Sequence, residues 1–81
     1  MYEKKIKLPN INDVYDFHSK ICKLNCDVDL LAANSKYCVD AKSIMGILSM
    51  DLTQPVIVRT YSQEPDILAA LSEAVEGRLI E

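Results

Sequence analysis

Hydrophobic and polar positions alternate with period two at the start of the chain. Tyr2, Lys4, Ile6 and Leu8 fall on one side, and Glu3, Lys5 and Lys7 on the other. One apolar side, with Lys4 its imperfect member, predicts a half-buried strand over residues 2–8. Pro9 has no N–H for a ladder bond and stops it. The period then changes. Ile11, Val14, Phe17, His18, Ile21 and Leu24 recur at helical spacing, predicting a helix over 10–24. Asn10 or Asn12 can cap it. With Asn10 as cap, Asp13 takes the third helical position, where a negative charge suits the positive helix end.

Asn25-Cys26-Asp27 turns the chain out of that helix. Val28, Leu30 and Ala32, then Tyr37 and Val39, flank the turn signal Asn34-Ser35, so residues 27–41 read as a β-hairpin. A short helix follows over 43–50, capped by the Ser43 hydroxyl, which can accept an orphan N–H of the first turn. Gly46 weakens this helix tolerably. Asp51 to Gln54 form a loop, and Pro55 opens a strand through Tyr61 with strong β-propensity. Arg59 in that strand is expected to be solvated. After a turn at 62–64, Pro65 suits the first turn of a final helix. Its apolar stripe is Ile67, Leu68, Leu71, Ala74, Val75 and Leu79, and Gly77 marks its end before a short tail.

The order β-α-β-β-α-β-α, with one-faced helices and a mainly antiparallel sheet, gives an α+β two-layer sandwich. The 81 residues imply one domain, 1–81, and a core of only a few kcal/mol net stability. An apolar fraction of 49% excludes disorder, and a net charge of −3 without a basic cluster gives no footprint for nucleic acid. The N-terminus lacks the apolar run of a signal peptide, and no stretch reaches membrane-span length. Three cysteines without framework spacing fit reduced, buried or half-buried thiols in a cytoplasmic protein.

Candidate chemistry is sparse, and no catalytic constellation or cofactor motif is found. His18, Cys22 and Cys26 are spaced by four, with Cys38 as a fourth zinc ligand to consider. Cys26 falls in a turn and the close paired spacings of structural sites are missing, so no metal is expected. Ile44, Met45, Ile47, Leu48 and Met50 are too many apolar side chains for one buried stripe on so short a helix. Ile44, Met45, Ile47 and Met50 are therefore the candidate partner patch, to which flexible methionine is suited.

The run Val39-Asp40-Ala41-Lys42-Ser43-Ile44-Met45-Gly46-Ile47-Leu48-Ser49-Met50 resembles the segment around the regulatory serine of HPr, the phosphocarrier of the bacterial sugar phosphotransferase system. The resemblance implies an open-faced sandwich: a four-stranded sheet with its helices on one face. It also implies phosphorylation of Ser43 by HPr kinase, as against a purely structural cap, and protein partners of the phosphotransferase or carbon-regulation type. The family's other signature is absent. In the family a histidine caps the first helix and is followed by Ala-Arg-Pro; the helix end and the arginine hold the phosphoryl group. Ungapped alignment from Asn25-Cys26-Asp27 puts Asn10 at the histidine, Asn12 at the arginine and Asp13 at the proline. An amide does not carry phosphate reversibly, Asn12 brings no charge, and Asp13 repels the anion.

The expectation is therefore a non-enzymatic, HPr-like regulatory or binding module, like the catabolite-repression HPr in lacking the histidine and keeping the serine. Two alternatives remain. One is a working phosphocarrier using His18, although that residue lies with Val14, Phe17 and Ile21 on the core face. The other is a small assembly or dimerisation domain that uses the methionine patch.

Overall fold

The computed structural model describes residues 1–80. The elements are β1 (Tyr2–Ile6), α1 (Ile11–Ile21), β2 (Asp29–Ala32), β3 (Cys38–Asp40), α2 (Ile44–Leu48), β4 (Val56–Thr60) and α3 (Pro65–Ala74). They form a two-layer α+β open-faced sandwich. The sheet order is β1-β4-β2-β3, and every neighbouring pair is antiparallel.

Strand β4 lies inside the sheet, between β1 and β2. Its period-two pattern buries Val56, Val58 and Thr60 and leaves Ile57 and Arg59 half-buried on the other face. Thr60 meets the cost of a buried hydroxyl by donating to the Asp27 carbonyl at 2.8 Å and accepting from the Ser62 N–H. Beneath the sheet, Val14, Phe17 and Ile21 of α1 and Leu71 and Ala74 of α3 join Ile6, Leu30 and Ile47 in one apolar cluster. Three- and four-residue spacing puts each helical set on one face, which is why these stretches fold as packed helices.

Several details depart from the sequence reading. β1 ends at Ile6 rather than Leu8, although Leu8 remains buried. The stretch after α3 is not a loose tail. Gly77 turns the chain at φ 79°, which a residue with a Cβ rarely adopts. Lys7 N–H then donates to the Arg78 carbonyl, Ile80 N–H donates to the Lys5 carbonyl, and Leu79 bridges Ile6. Leu79 is accordingly 52% exposed instead of lying on the helix stripe. Arg59 is not simply solvated: it pairs with Asp29 at 3.3 Å and sits over the Tyr61 ring.

Arg78 ties the end of the chain to α1. Its guanidinium reaches Asp13 at 3.1 Å and Asp16 at 2.8 Å, and it donates to the Ala74 carbonyl. Lys20 and Arg78 together hold the Asp16 carboxyl below the usual carboxylate range, with the Lys20 hydrogen bond the larger cause.

Phe17→Ala empties the centre of this small core and is expected to cost about 3–5 kcal/mol, a large part of the stability of a domain of this size. Loss of most of the cooperative urea transition checks it. A depressed carboxyl pKa stabilises the fold above the unfolded value, about 3.9, and that contribution is lost as pH falls through the lower folded value. Lys20→Gln, which removes the larger cause, is therefore expected to flatten slightly the fall in urea midpoint as pH drops below about 4.

Candidate functional site

The α1 N-terminus settles which asparagine is the cap. Asn10 has extended backbone, and its Oδ1 accepts the Asp13 N–H at 3.0 Å. Asn12 is exposed one residue into the helix. Asp13 faces Arg78, so the acidic charge at this helix end is met by a cation from the other end of the chain. Sequence spacing offered no sign of that arginine, because Arg78 Nε and Asp13 Oδ1 join residues 65 apart.

At α2 the Ser43 Oγ accepts the Gly46 N–H at 3.1 Å, as a cap should, and the side chain is exposed. A Cβ on Gly46 would lie 3.2 Å from the Val39 Cβ and 3.3 Å from Ser43 Oγ, so the helix packs closely on β3 at this point. The far end is closed by Ser49, whose hydroxyl donates to the Gly46 carbonyl at 2.6 Å and meets the Tyr37 hydroxyl at 2.7 Å.

The apolar patch differs from the sequence expectation. Ile47 is fully buried and Met50 is 7% exposed; both belong to the core and neither can form a surface. Five residues of helix give little more than one turn, and the side turned toward the sheet takes Ile47. Met45 is 74% exposed and Leu48 41%, with Ile44 half-buried beside them. Leu48 was the member the pattern did not separate from the core set. Ile11, which the sequence places on the helical stripe, is exposed because it stands in the first turn of α1, and Tyr15, off that stripe, is exposed too.

Lys42, just before the cap, joins α1 to α2. Its N–H donates to Asp40 Oδ1 at 2.9 Å, its Nζ to the Leu24 carbonyl at 2.6 Å, and its carbonyl lies 2.9 Å from His18 Nε2. His18 is half-buried, far along α1 from its capped end. The cysteines do not converge. Cys22 Sγ is 3.3 Å from His18 Nε2, Cys26 lies by the Thr60 hydroxyl, and Cys38 is on β3. Contrary to the expectation of buried or half-buried thiols, Cys22 and Cys38 are exposed. No cluster of three His, Cys, Asp or Glu side chains suited to a metal occurs among the described residues. Nor is any helix there long and apolar enough to cross a membrane.

The fold defined by these elements is HPr-like. The chain is similar to the crystal structure of HPr-C-His from Thermoanaerobacter tengcongensis, with a TM-score of 0.69 and 26% identity over 94% of this chain and 92% of that one. No protein-family model matches the chain, and no curated protein does.

Removing the α2 cap tests its structural share. Ser43→Ala is expected to lower stability by about 1 kcal/mol while leaving the fold intact. The shift in urea midpoint, with an unchanged far-ultraviolet spectrum, measures it.

Proposed function

We propose that this chain is a single HPr-like domain related to the bacterial sugar phosphotransferase system, acting as a regulatory or binding module and not as a histidine phosphocarrier. The observation that carries the reading is the side chain at the start of α1. Asn10 occupies the cap, its Oδ1 already takes the Asp13 N–H, and an amide offers no reversible phosphate ester or phosphoramidate chemistry. The fold likeness to HPr-C-His supports the relation to the system; the residues at the helix end support the loss of histidine transfer.

In this reading Ser43 is the regulated position. It is exposed, it caps α2, and Met45 stands beside it at the surface. A phosphate on Ser43 would add close to two negative charges next to the apolar group of Ile44, Met45 and Leu48, changing which protein surface that group can accept. The partners fitting this reading are proteins of the phosphotransferase or carbon-regulation type. His18 is disfavoured as an acceptor because its Nε2 faces the Lys42 carbonyl and the Cys22 sulfur.

Two incubations, read by intact mass, test the reading. With HPr kinase and ATP, one acid-stable phosphate is expected on wild type and none on Ser43→Ala. With enzyme I and phosphoenolpyruvate, no acid-labile phosphate is expected on wild type. An acid-labile phosphate that disappears in His18→Gln would overturn the proposal in favour of a working carrier. A folded protein with no adduct from either incubation would leave Ser43 as a cap only.

A further inference from the structure

The outer edge of β1 is a place where the sheet can take another strand. β1 pairs with β4 along one edge and stands at the end of the sheet. Part of its outer edge is covered by the chain's own residues 78–80. Lys7 N–H donates to the Arg78 carbonyl and Ile80 N–H to the Lys5 carbonyl, both at 2.9 Å, and Leu79 bridges Ile6 in the antiparallel sense. Backbone groups alternate between the two edges of a strand, so the outward N–H and C=O groups belong to Glu3, Lys5 and Lys7. Residues 78–80 serve Lys5 and Lys7, and Glu3 lies beyond them along the edge.

This strap is lightly held. Leu79 is 52% exposed, so the strap gains little from burial. Its firm anchor is the Arg78 guanidinium, paired with Asp13 and Asp16. A segment with few buried contacts opens at a far lower cost than the core does. Beneath it lies an edge with a definite charge pattern. Glu3 and Lys5 are exposed, and they stand opposite Arg59 and Ile57 on the face of the sheet that the helices leave open.

We propose that the outer edge of β1 is a self-pairing site, which takes the β1 of a second copy in antiparallel register, and that residues 78–80 close it in the monomer. β1 runs from Tyr2 to Ile6, with Lys4 at its midpoint. Two-fold pairing about that midpoint sets Glu3 against the second copy's Lys5, and Lys5 against its Glu3. Both are outward-facing positions, so each pair exchanges backbone hydrogen bonds and also brings opposite charges together on one face. The exposed Lys4 meets its own copy on the other face, one repulsive pair against two attractive pairs of similar size. A two-fold contact has to be self-complementary, and an edge with an acid on one side of its midpoint and a base on the other meets that condition. In this register the second copy's Met1, Tyr2 and Glu3 take the places of Arg78, Leu79 and Ile80, so strap and partner exclude each other. The pairing involves neither Ser43 nor α2 and is independent of the function proposed above.

Sedimentation velocity of the full chain over a concentration series tests the pairing. Arg78→Gln loosens the strap and is expected to dimerise several-fold more tightly than wild type. Adding Lys5→Glu to Arg78→Gln is expected to abolish the dimer, because Glu3 then faces a glutamate, and adding Glu3→Lys instead is expected to abolish it through facing lysines. An equal mixture of those two double variants is expected to restore the dimer, since each acid of one then meets a base of the other. The mixing is repeated with Arg78 in place, at millimolar protein, so the outcome does not depend on Arg78→Gln folding. There, more dimer in the mixture of Glu3→Lys with Lys5→Glu than in either variant alone is expected. Equal association of folded Arg78→Gln and wild type would overturn the proposal. So would a dimer that survives Lys5→Glu, which would put the contact on another surface, or a mixture with no more dimer than its components.

Discussion

Strand β4 is the constraint from which the other elements take their positions. Both of its edges are paired, with β1 on one side and β2 on the other, so it can neither slip nor turn over without breaking two ladders at once. Its inward side chains are Val56, Val58 and Thr60, all buried. In a sheet of four strands covered on one face, that register decides where the helices can lie. α1 and α3 present Phe17, Ile21 and Leu71 to the same apolar layer. A domain this small has little surplus stability, and two of its polar exceptions are well satisfied, Thr60 by Asp27 and Arg78 by Asp13, Asp16 and Ala74, whereas the buried Arg59 Nε has no partner among the described residues.

The second organising feature is the junction at Lys42. Its amide, ammonium and carbonyl reach Asp40, Leu24 and His18, so one residue connects β3, the turn after α1 and α1 itself. The short helix α2 begins at once afterwards. A five-residue helix has little stability of its own, and it forms here because both ends are capped and Ile47 is buried. Ser43 thus stands on a rigid base at the edge of an exposed apolar group. The Ser43 hydroxyl is exposed beside Met45, and the α1 terminus is capped by the Asn10 amide. The Lys42 carbonyl also lies 2.9 Å from His18 Nε2, so the same residue fastens the last turn of α1 to the start of α2.

The element order, the antiparallel sheet and most of the core were legible in the chain. Strands and helices here have clean periods of two and 3.6, and those periods state which face is buried. The Ser43 cap was legible too, and the α1 cap was narrowed to Asn10 or Asn12, because capping is a local hydrogen bond across three residues; the structure chose Asn10. Less was legible at element ends. Leu8 continues the alternation but leaves the ladder, and Gly77 starts a turn that returns the chain to β1 instead of releasing it.

What the chain determined by itself was therefore whatever depends on neighbours within about one turn or one pleat: element type, facing and caps. The absence of a histidine from the start of the first helix belongs here, since His18 is the sole histidine and lies deep in that helix. Only the tertiary structure decided which of Ile44, Met45, Ile47, Leu48 and Met50 reach solvent, because on so short a helix the angle of docking on the sheet makes that choice. Tertiary structure alone also brought Arg78 to Asp13, Asp29 to Arg59 and the Lys42 carbonyl to His18. Those groups are far apart in sequence, and no local periodicity encodes a distance that is set by packing two elements together.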